Sequence, residues 1–238
     1  MRGRGGGQAI VHPQLLAVRG QPLYLIALSR SGGIVCNRIA TSAAESQMVA
    51  ALYALDAVAS QPWRNGGGVT RELFTWPPDA AWKARISVAE IAADGPFSAF
   101  EGVQRWFAVI EGRGVELAFD DTTHCLMPGD PPLRFDGARP PVCRLLDGPT
   151  RDLNLMLRGA RGAMIAAVDH RPWSPAGDAC ALFTTVAGVV HAPARRDRVV
   201  AHSLLVCAPS PATLRFAADS DTGATVGWWL QWSEIGSA

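Results

Sequence analysis

The apolar segments of this chain are short, and turns rich in glycine and proline separate them from Met48 onward. This spacing constrains the fold because frequent turn signals between short apolar segments leave little room for helix. The turn segments are ADGPFS, EGRG, MPGDPP, FDGARPP, LDGP and DSDTG. Many short strands separated in this way are typical of an antiparallel sandwich or barrel. The sequence therefore predicts an all-β fold.

The predicted strands lie between these turns. One or two helical turns are expected near residues 48–58, where Leu52, Leu55 and Ala59 recur at helical spacing. The candidate strands are Thr70–Phe74, Ala84–Ile91, Trp106–Ile110, Gly114–Phe119, Leu133–Phe135, Val142–Leu146, Asp152–Leu157, Ala181–Ala187, Ser203–Cys207, Ala212–Ala217 and Ala224–Trp232.

One order of elements occurs twice: strand, glycine-bearing turn, strand, proline-bearing turn, strand. The first copy begins at RWFAVIEGRG, and the second, looser copy begins at ALFTTVAGVV. This order is cupin-like, and a tandem pair predicts a bicupin of two antiparallel barrels packed together. We assign the N-terminal barrel to residues 48–155 and the C-terminal barrel to residues 156–238.

The first 47 residues differ in character from the rest. They contain a single acidic residue, Glu45, together with glycine-rich interruptions and no clear hydrophobic period. We interpret them as a disordered extension or a mis-called gene start, with translation beginning naturally at Met48. A genuine flexible arm is the alternative.

Composition limits the classes of partner. Apolar residues make up 48% of the 238-residue chain, which is ample for a sizeable core, and the formal net charge is +1. So small a charge predicts neither a nucleic acid nor a membrane partner. The five cysteines are widely spaced without a C-x-x-C pair, which argues against a disulfide framework and fits a reducing cytosol. The longest candidate for a membrane or signal segment, PLYLIALS, is far shorter than a bilayer span, so we expect a cytoplasmic protein.

The segment QPWRNGGGVTREL raises the question of a phosphate-binding loop. Its three glycines match neither the Walker spacing nor G-x-G-x-x-G, and a strand is predicted after them. Without a helix N-terminus, the positive dipole that would hold a phosphate is missing. The glycines instead indicate a close backbone approach or a sharp turn.

Metal ligands and nucleophiles cannot be recognised in the sequence. None of His12, His124, His170, His191 and His202 forms an H-x-H, H-x-x-x-H or H-E-x-x-H pair. The sequence therefore predicts no bound metal and no cofactor. A G-x-S-x-G elbow is also missing, so no catalytic residue is assigned.

Polar residues alternate with apolar ones along three of the predicted strands, RDLNLML, ARISVAEI and VTRELF. Such a polar face could lie in water, as is usual for an antiparallel sheet. Alternatively, it could converge at the mouth of a barrel, where an arginine and several hydrogen-bonding groups would suit a small carboxylate. The residues that would share polar faces are Asp152 and Asn154, Arg85 and Ser87, and Thr70 and Glu72.

Five motifs occur in order: PWRNGGGVTRE, RISVAEIAADGPFSAFEGVQRW, VIEGRGVEL, RFDG and LLDGPTRDLNLM. Together they resemble the HutD/Ves family, over about residues 60–160. The resemblance implies a double β-barrel, commonly a homodimer, without an established catalytic activity or metal. It also implies binding of a small metabolite, such as a formylated or free carboxylic acid from histidine breakdown.

Asp94 and Ser98 are among the residues of this sequence that match polar positions of the family's motifs. The chain departs from the family pattern at Ala84, where an aromatic residue is usual, and at Glu101, where proline is usual. The residues expected to bind the ligand are Asn65, Thr70, Arg71, Glu72, Arg85, Ser87, Arg105, Asp152 and Asn154.

The leading hypothesis is a bicupin that binds a small carboxylate metabolite, with a regulatory or flux-limiting role in histidine or amino-acid catabolism. Arg85 and Arg105 would face the carboxylate, and Asp152 would hold an arginine in place. The alternative is a metal-free cupin-type isomerase or lyase with Glu72 or Asp152 as general base. A third hypothesis is a protein-binding module that docks through GWWLQW, although Trp232 and its neighbours fit a core or a dimer interface better.

Overall fold

The computed structural model describes residues 51–78, 81–193, 195–207, 212–220 and 223–235, together with three strands nearer the N-terminus. Those three are β1 (Gln14–Leu16), β2 (Leu23–Leu28) and β3 (Ile34–Ile39), which pair as an antiparallel sheet. The remainder of the extension that we predicted at residues 1–47 lies outside the described residues.

The rest of the described chain consists almost entirely of strands and turns. A single 3-10 turn at Leu55–Ala57 is the helical exception within this part of the chain. The strands are β4 (Ala51–Ala54), β5 (Gln61–Pro62), β6 (Gly68–Trp76), β7 (Ala84–Ile91), β8 (Gly95–Pro96), β9 (Val103–Glu111), β10 (Val115–Ala118), β11 (Thr123–Leu126), β12 (Leu133–Asp136), β13 (Val142–Leu145), β14 (Thr150–Arg158), β15 (Ala160–Val168), β16 (Pro172–Trp173), β17 (Ala179–Thr184), β18 (Gly188–Ala192), β19 (Arg195–Val199), β20 (Ser203–Cys207), β21 (Leu214–Ala218) and β22 (Thr225–Glu234).

These strands form four antiparallel sheets. The first pair of sheets has the orders β12-β9-β14-β7-β6-β5 and β11-β10-β13-β8, and we call this pair the first sandwich. The second pair has the orders β15-β22-β17-β20-β4 and β16-β21-β18-β19, and we call it the second sandwich. The all-β prediction is therefore confirmed.

Three apolar clusters hold the four sheets together. One fills the first sandwich and includes Ile91, Phe107 and Leu117, and another fills the second and includes Phe216 and Trp229. The largest cluster lies between the six-stranded and five-stranded sheets, so the two sandwiches pack back to back. Each large sheet is therefore covered on both faces.

The chain passes from the first sandwich to the second at Gly159, between β14 and β15. One strand also crosses to the second sandwich, because β4 precedes the first sandwich in sequence but pairs with β20 of the second. The helical turns expected near residues 48–58 are largely wrong, since Ala51–Ala54 is a strand. Pairing with β20 and burial of Tyr53 in the central cluster outweigh the helical spacing.

The strand β22 supplies the centre of the interface between the sandwiches. Trp228, Leu230 and Trp232 all lie in the central cluster, while Trp229 points into the second sandwich. The aromatic face of GWWLQW is therefore core, as expected from its alternation, and it is not available for docking a partner protein.

We expect Leu230→Ala to lower the free energy of unfolding by about 2–5 kcal/mol, because Leu230 is fully buried between the sandwiches. The matched control is Leu52→Ala, which truncates a leucine that is 43% exposed and should cost much less. Urea unfolding of both variants checks this, and equal losses would contradict the assigned interface.

Candidate functional site

The strand register brings several predicted polar residues onto one face of the six-stranded sheet. The strand β14 lies between β7 and β9, and Asn154 has Ser87 and Phe107 as its lateral neighbours. One row further along, Met156 lies between Arg85 and Arg105. Because side chains alternate between faces along a strand, all of these side chains point into the first sandwich.

This polar face is buried. Asp152 is 0% exposed, Ser87 3%, Asn154 4% and Arg105 7%. The interpretation that the polar face lies in water is therefore wrong for these residues, whereas Thr70, Glu72 and Arg85 are half-buried. The four-stranded sheet covers it, and the leucines of the same strand, such as Leu155, fill the central cluster on the other side.

Aromatic rings surround the Arg105 side chain inside the first sandwich. Its guanidinium carbon lies 5.3, 5.6 and 5.0 Å from the ring centroids of Phe97, Phe100 and Phe135. Nη2 donates a hydrogen bond to Asn154 Oδ1 at 2.9 Å, while the buried Nε and Nη1 find no acceptor among the described residues. Aromatic faces stabilise a cation but accept only weak hydrogen bonds, so two strong donors remain available.

Burial, together with the positive charge of Arg85, lowers the pKa of Arg105 to about 10. The side chain is therefore still a cation at neutral pH. Arg85 itself is neutralised, because its Nε donates to Glu72 Oε2 at 2.7 Å, and its Nη1 lies 3.8 Å from Met156 Sδ. Of the two arginines that we expected to face a carboxylate, Arg105 has the free donors.

Asp152 is the second buried ionisable group on this face. Thr150 Oγ1 donates to its Oδ2 at 2.8 Å, and its Oδ1 has no hydrogen-bond partner in the described structure. Burial raises the pKa of Asp152 to about 8, and the Thr150 hydrogen bond opposes that rise. Asp152 was expected to hold an arginine, but Arg105 donates to Asn154 instead.

Thr70 and Arg71 occupy different faces of β6. Thr70 Oγ1 accepts a hydrogen bond from Trp63 Nε1 at 2.8 Å, and Thr70 pairs laterally with Ala89, which lies in the first sandwich. Arg71 lies on the opposite face, donating to Glu90 at 2.9 Å and to the Val58 carbonyl at 2.6 Å. The β-bulge of this strand lies between Glu72 and Phe74, after Arg71, and so does not bring it to the others.

The glycine run NGGG forms a turn that leads into β6. Asn65 is exposed, and its Oδ1 accepts a hydrogen bond from the Gly67 amide at 3.1 Å. Gly66 has a φ of 71°, which L-residues rarely adopt. A Cβ on Gly68 would lie 2.3 Å from the Glu90 carbonyl oxygen. The glycines therefore serve a turn and a close backbone approach, as the sequence indicated.

Sequence reasoning missed the partners of the two buried ionisable groups. Thr150 could have been found, since period-two alternation places it on the face of Asp152 and Asn154. Phe97 and Phe100 lie in a loop segment, where no periodicity marks them. Of the other two motif positions, Ser98 is exposed and Asp94 Oδ1 accepts a hydrogen bond from the Leu145 amide at 2.8 Å.

The donor set of this face does not fit a divalent cation. Among the described residues, no three His, Cys, Asp or Glu side chains are placed to hold a metal ion. The guanidinium of Arg105 would also repel a cation bound beside Asn154. The part of the chain that the structure describes contains no helix that could cross a membrane.

We expect Gly68→Ala to lower the free energy of unfolding by about 1–3 kcal/mol, because the new Cβ would collide with a backbone carbonyl that cannot turn away. Gly67→Ala is the matched control, since its Cβ would approach no atom closer than 3.5 Å. Chemical denaturation of both variants measures the difference, and equal stabilities would contradict the described turn.

The raised pKa of Asp152 predicts a pH-dependent stability. Between its ordinary value of 3.8 and about 8, the folded state binds a proton that the unfolded chain has lost. The contribution of Asp152 to the free energy of unfolding is therefore fully present below pH 4 and is lost as the pH rises to about 8. Asp152→Asn removes it, so the variant should gain stability relative to the wild type from pH 5 to 8, by up to about 1.4 kcal/mol per pH unit. Urea unfolding across that range checks this, with the exposed Asp56→Asn as control; a constant difference for Asp152→Asn would contradict the assignment.

Comparison with known proteins identifies relatives in several bacteria. Over 100 residues the chain is 38% identical to an uncharacterized 21.2 kDa protein in the hutC 3' region of Pseudomonas putida, covering 40% of this chain and 51% of the relative. The chain thus spans about half the length of that relative. Over 131 residues it is 35% identical to protein Ves of Citrobacter koseri, covering 53% and 67% of the two chains.

Solved structures share the fold. HutD from Pseudomonas fluorescens SBW25 superposes with a TM-score of 0.62 at 26% identity, over 79% of this chain and all of that one. A conserved protein of unknown function from Pseudomonas aeruginosa gives a TM-score of 0.65 at 25% identity, with the same coverage. Oxalate decarboxylase from Bacillus subtilis, at 8% identity and a TM-score of 0.54 over 83% of this chain and 80% of that one, shares only the cupin-like fold. The sequence model of the HutD family matches residues 55–226. The chain therefore belongs to the HutD/Ves family and has its cupin-like, all-β fold.

Proposed function

We propose that this protein binds a small carboxylate metabolite inside the first sandwich, and that Arg105 receives the carboxylate. The observation that carries the proposal is the state of the Arg105 guanidinium. It is buried and charged, yet Nε and Nη1 find no acceptor among the described residues. An isolated buried charge is costly, and a hydrogen-bonded anion is the partner that removes most of that cost.

The surroundings of Arg105 favour a small organic anion. Three phenyl rings surround the guanidinium, and Asn154 and Ser87 add polar groups on the same face. An apolar lining with a few convergent polar groups is characteristic of small-molecule sites. Since Glu72 already neutralises Arg85, the Arg105 cation is left uncompensated among the described residues of this face, and a monocarboxylate would balance it.

Family membership links the chain to histidine utilisation. The structure of HutD from Pseudomonas fluorescens was obtained in a formate condition, and formate is the simplest carboxylate. We propose that binding of such an acid limits flux or regulates the breakdown of histidine or a related amino acid.

A thermal-shift series with formate, acetate and the acids of histidine breakdown tests the proposal. At a hundred times its Kd, a bound acid should stabilise the protein by about 2.7 kcal/mol, which raises Tm by about 5–10 °C for a chain of this size. Arg105→Met should abolish the shift. Arg161→Met, which replaces an exposed arginine in β15, should leave the shift unchanged. A shift that survives in Arg105→Met, or no shift with any acid, would contradict the proposal.

A metal-free isomerase or lyase that acts on a small acid is the second candidate, and one observation favours it. A carboxyl with a pKa of about 8, such as Asp152, can transfer a proton in either direction near neutral pH. The enzyme hypothesis predicts that NMR spectra of an acid that shifts Tm will change with time. It also predicts that Asp152→Asn stops the change while the Tm shift persists.

A further inference from the structure

We propose that neutral Asp152 donates a hydrogen bond to a second polar group of the bound acid, a carbonyl acceptor, on the far side of Asn154 from Arg105. This inference rests on the proposed function and adds a specificity-determining residue to it. The ligand class becomes narrower: a short carboxylate that also carries a ketone or amide oxygen.

Asp152 lies on the same inward face of β14 as Asn154. Residues two apart on a strand lie about 7 Å from each other. Asn154 accepts a hydrogen bond from Arg105 through Oδ1, and its Nδ2 donates to the backbone carbonyl of Asp152 at 3.3 Å. Asn154 therefore lies between the cation and the carboxyl, so a ligand could contact both.

Asp152 also has an unsatisfied carboxyl oxygen. The side chain is fully buried, and its Oδ1 is without a partner within the described part of the protein. A buried polar atom in that state destabilises the fold, and a ligand that supplies a partner removes much of that cost. One ligand could therefore supply hydrogen-bond partners to the unpaired atoms of both Arg105 and Asp152.

The groups that face Asp152 determine its protonation state. On its own sheet, its polar neighbours on this face are Thr150, Asn154, Ser87 and Thr70, with Arg85 paired to Glu72 and Arg105 bonded to Asn154. The covering sheet contributes the Cys143 thiol, whose pKa is raised to about 12 chiefly by burial, so that this group is uncharged at neutral pH. No cation lies within 4 Å of the Asp152 carboxyl among the described ion pairs.

A buried carboxyl with no paired cation keeps its proton. Neutral Asp152 can therefore donate from one oxygen while the other accepts from Thr150. An acceptor on the ligand fits this state, whereas an ammonium group would require Asp152 to ionise and would lie near the Arg105 cation. The geometry thus favours a carbonyl over an amine.

The experiment compares laevulinate, a carboxylate with a ketone, with pentanoate, which has the same chain length without the ketone. Calorimetric titration of the wild type at pH 7 should show laevulinate binding about 5–10-fold more tightly, the ratio expected for one buried hydrogen bond. Asp152→Ala should reduce this ratio to about one. Asp152→Asn, whose amide can still donate, should restore most of it.

A pH series separates donation by a carboxyl from a merely structural role of Asp152. Between pH 7 and 9 the affinity of the wild type for laevulinate should fall about tenfold as Asp152 ionises, while that of Asp152→Asn should stay constant. Asp56→Asn, an exposed change, should behave as the wild type does. If both acids bind equally well to the wild type, or the ratio survives in Asp152→Ala, this inference is wrong and the proposed function stands. If neither acid binds, this inference is wrong, and the proposed function is wrong as well when no acid of the thermal-shift series binds.

Discussion

The burial of a polar sheet face inside the first sandwich is the constraint on which the candidate site depends. An antiparallel sheet usually turns its polar side chains toward water, but here a second sheet covers them. Some of the polar groups on this face bond to each other: Arg105 donates a hydrogen bond to Asn154, and Thr150 donates one to Asp152. Both ionisable groups retain at least one polar atom without a partner among the described residues, so these residues alone leave the hydrogen bonding of this face incomplete.

The same strand that positions the site also holds the two sandwiches together. Leucines of β14, including Leu153 and Leu155, fill the central cluster, while Asp152 and Asn154 face the other way. A one-residue slip would place leucines in the site and polar groups between the sandwiches. Hydrogen bonding to β7 on one side and β9 on the other prevents that slip, so the stability of the fold and the geometry of the site share one register.

Alternation in the sequence predicted the strands whose faces differ most in polarity. The bounds of Ala84–Ile91 and Ser203–Cys207 agree with the structure, and Asp152 and Asn154 do share a face. The strand Ala160–Val168 was not predicted, because its alanines and glycine have low strand propensity and its pairing with β22 decides its conformation. Nor could alternation show which polar face is covered, since that depends on packing between distant strands. For the same reason it gave no sign that the side chains around Arg105 are aromatic.

The separation of Arg105 from Asp152 is the physical basis of the proposed binding of an anion. A direct ion pair would have satisfied both groups and left no net charge to attract a ligand. Because Asn154 lies between them, the two buried groups differ in charge at neutral pH. Arg105 stays charged among aromatic rings, and Asp152 stays protonated. Arg85 is neutralised by Glu72 at 2.7 Å, so the cation of Arg105 remains as the one uncompensated charge among these buried groups. The proposed ligand, with a single negative charge beside a hydrogen-bond acceptor, would supply partners for both Arg105 and Asp152.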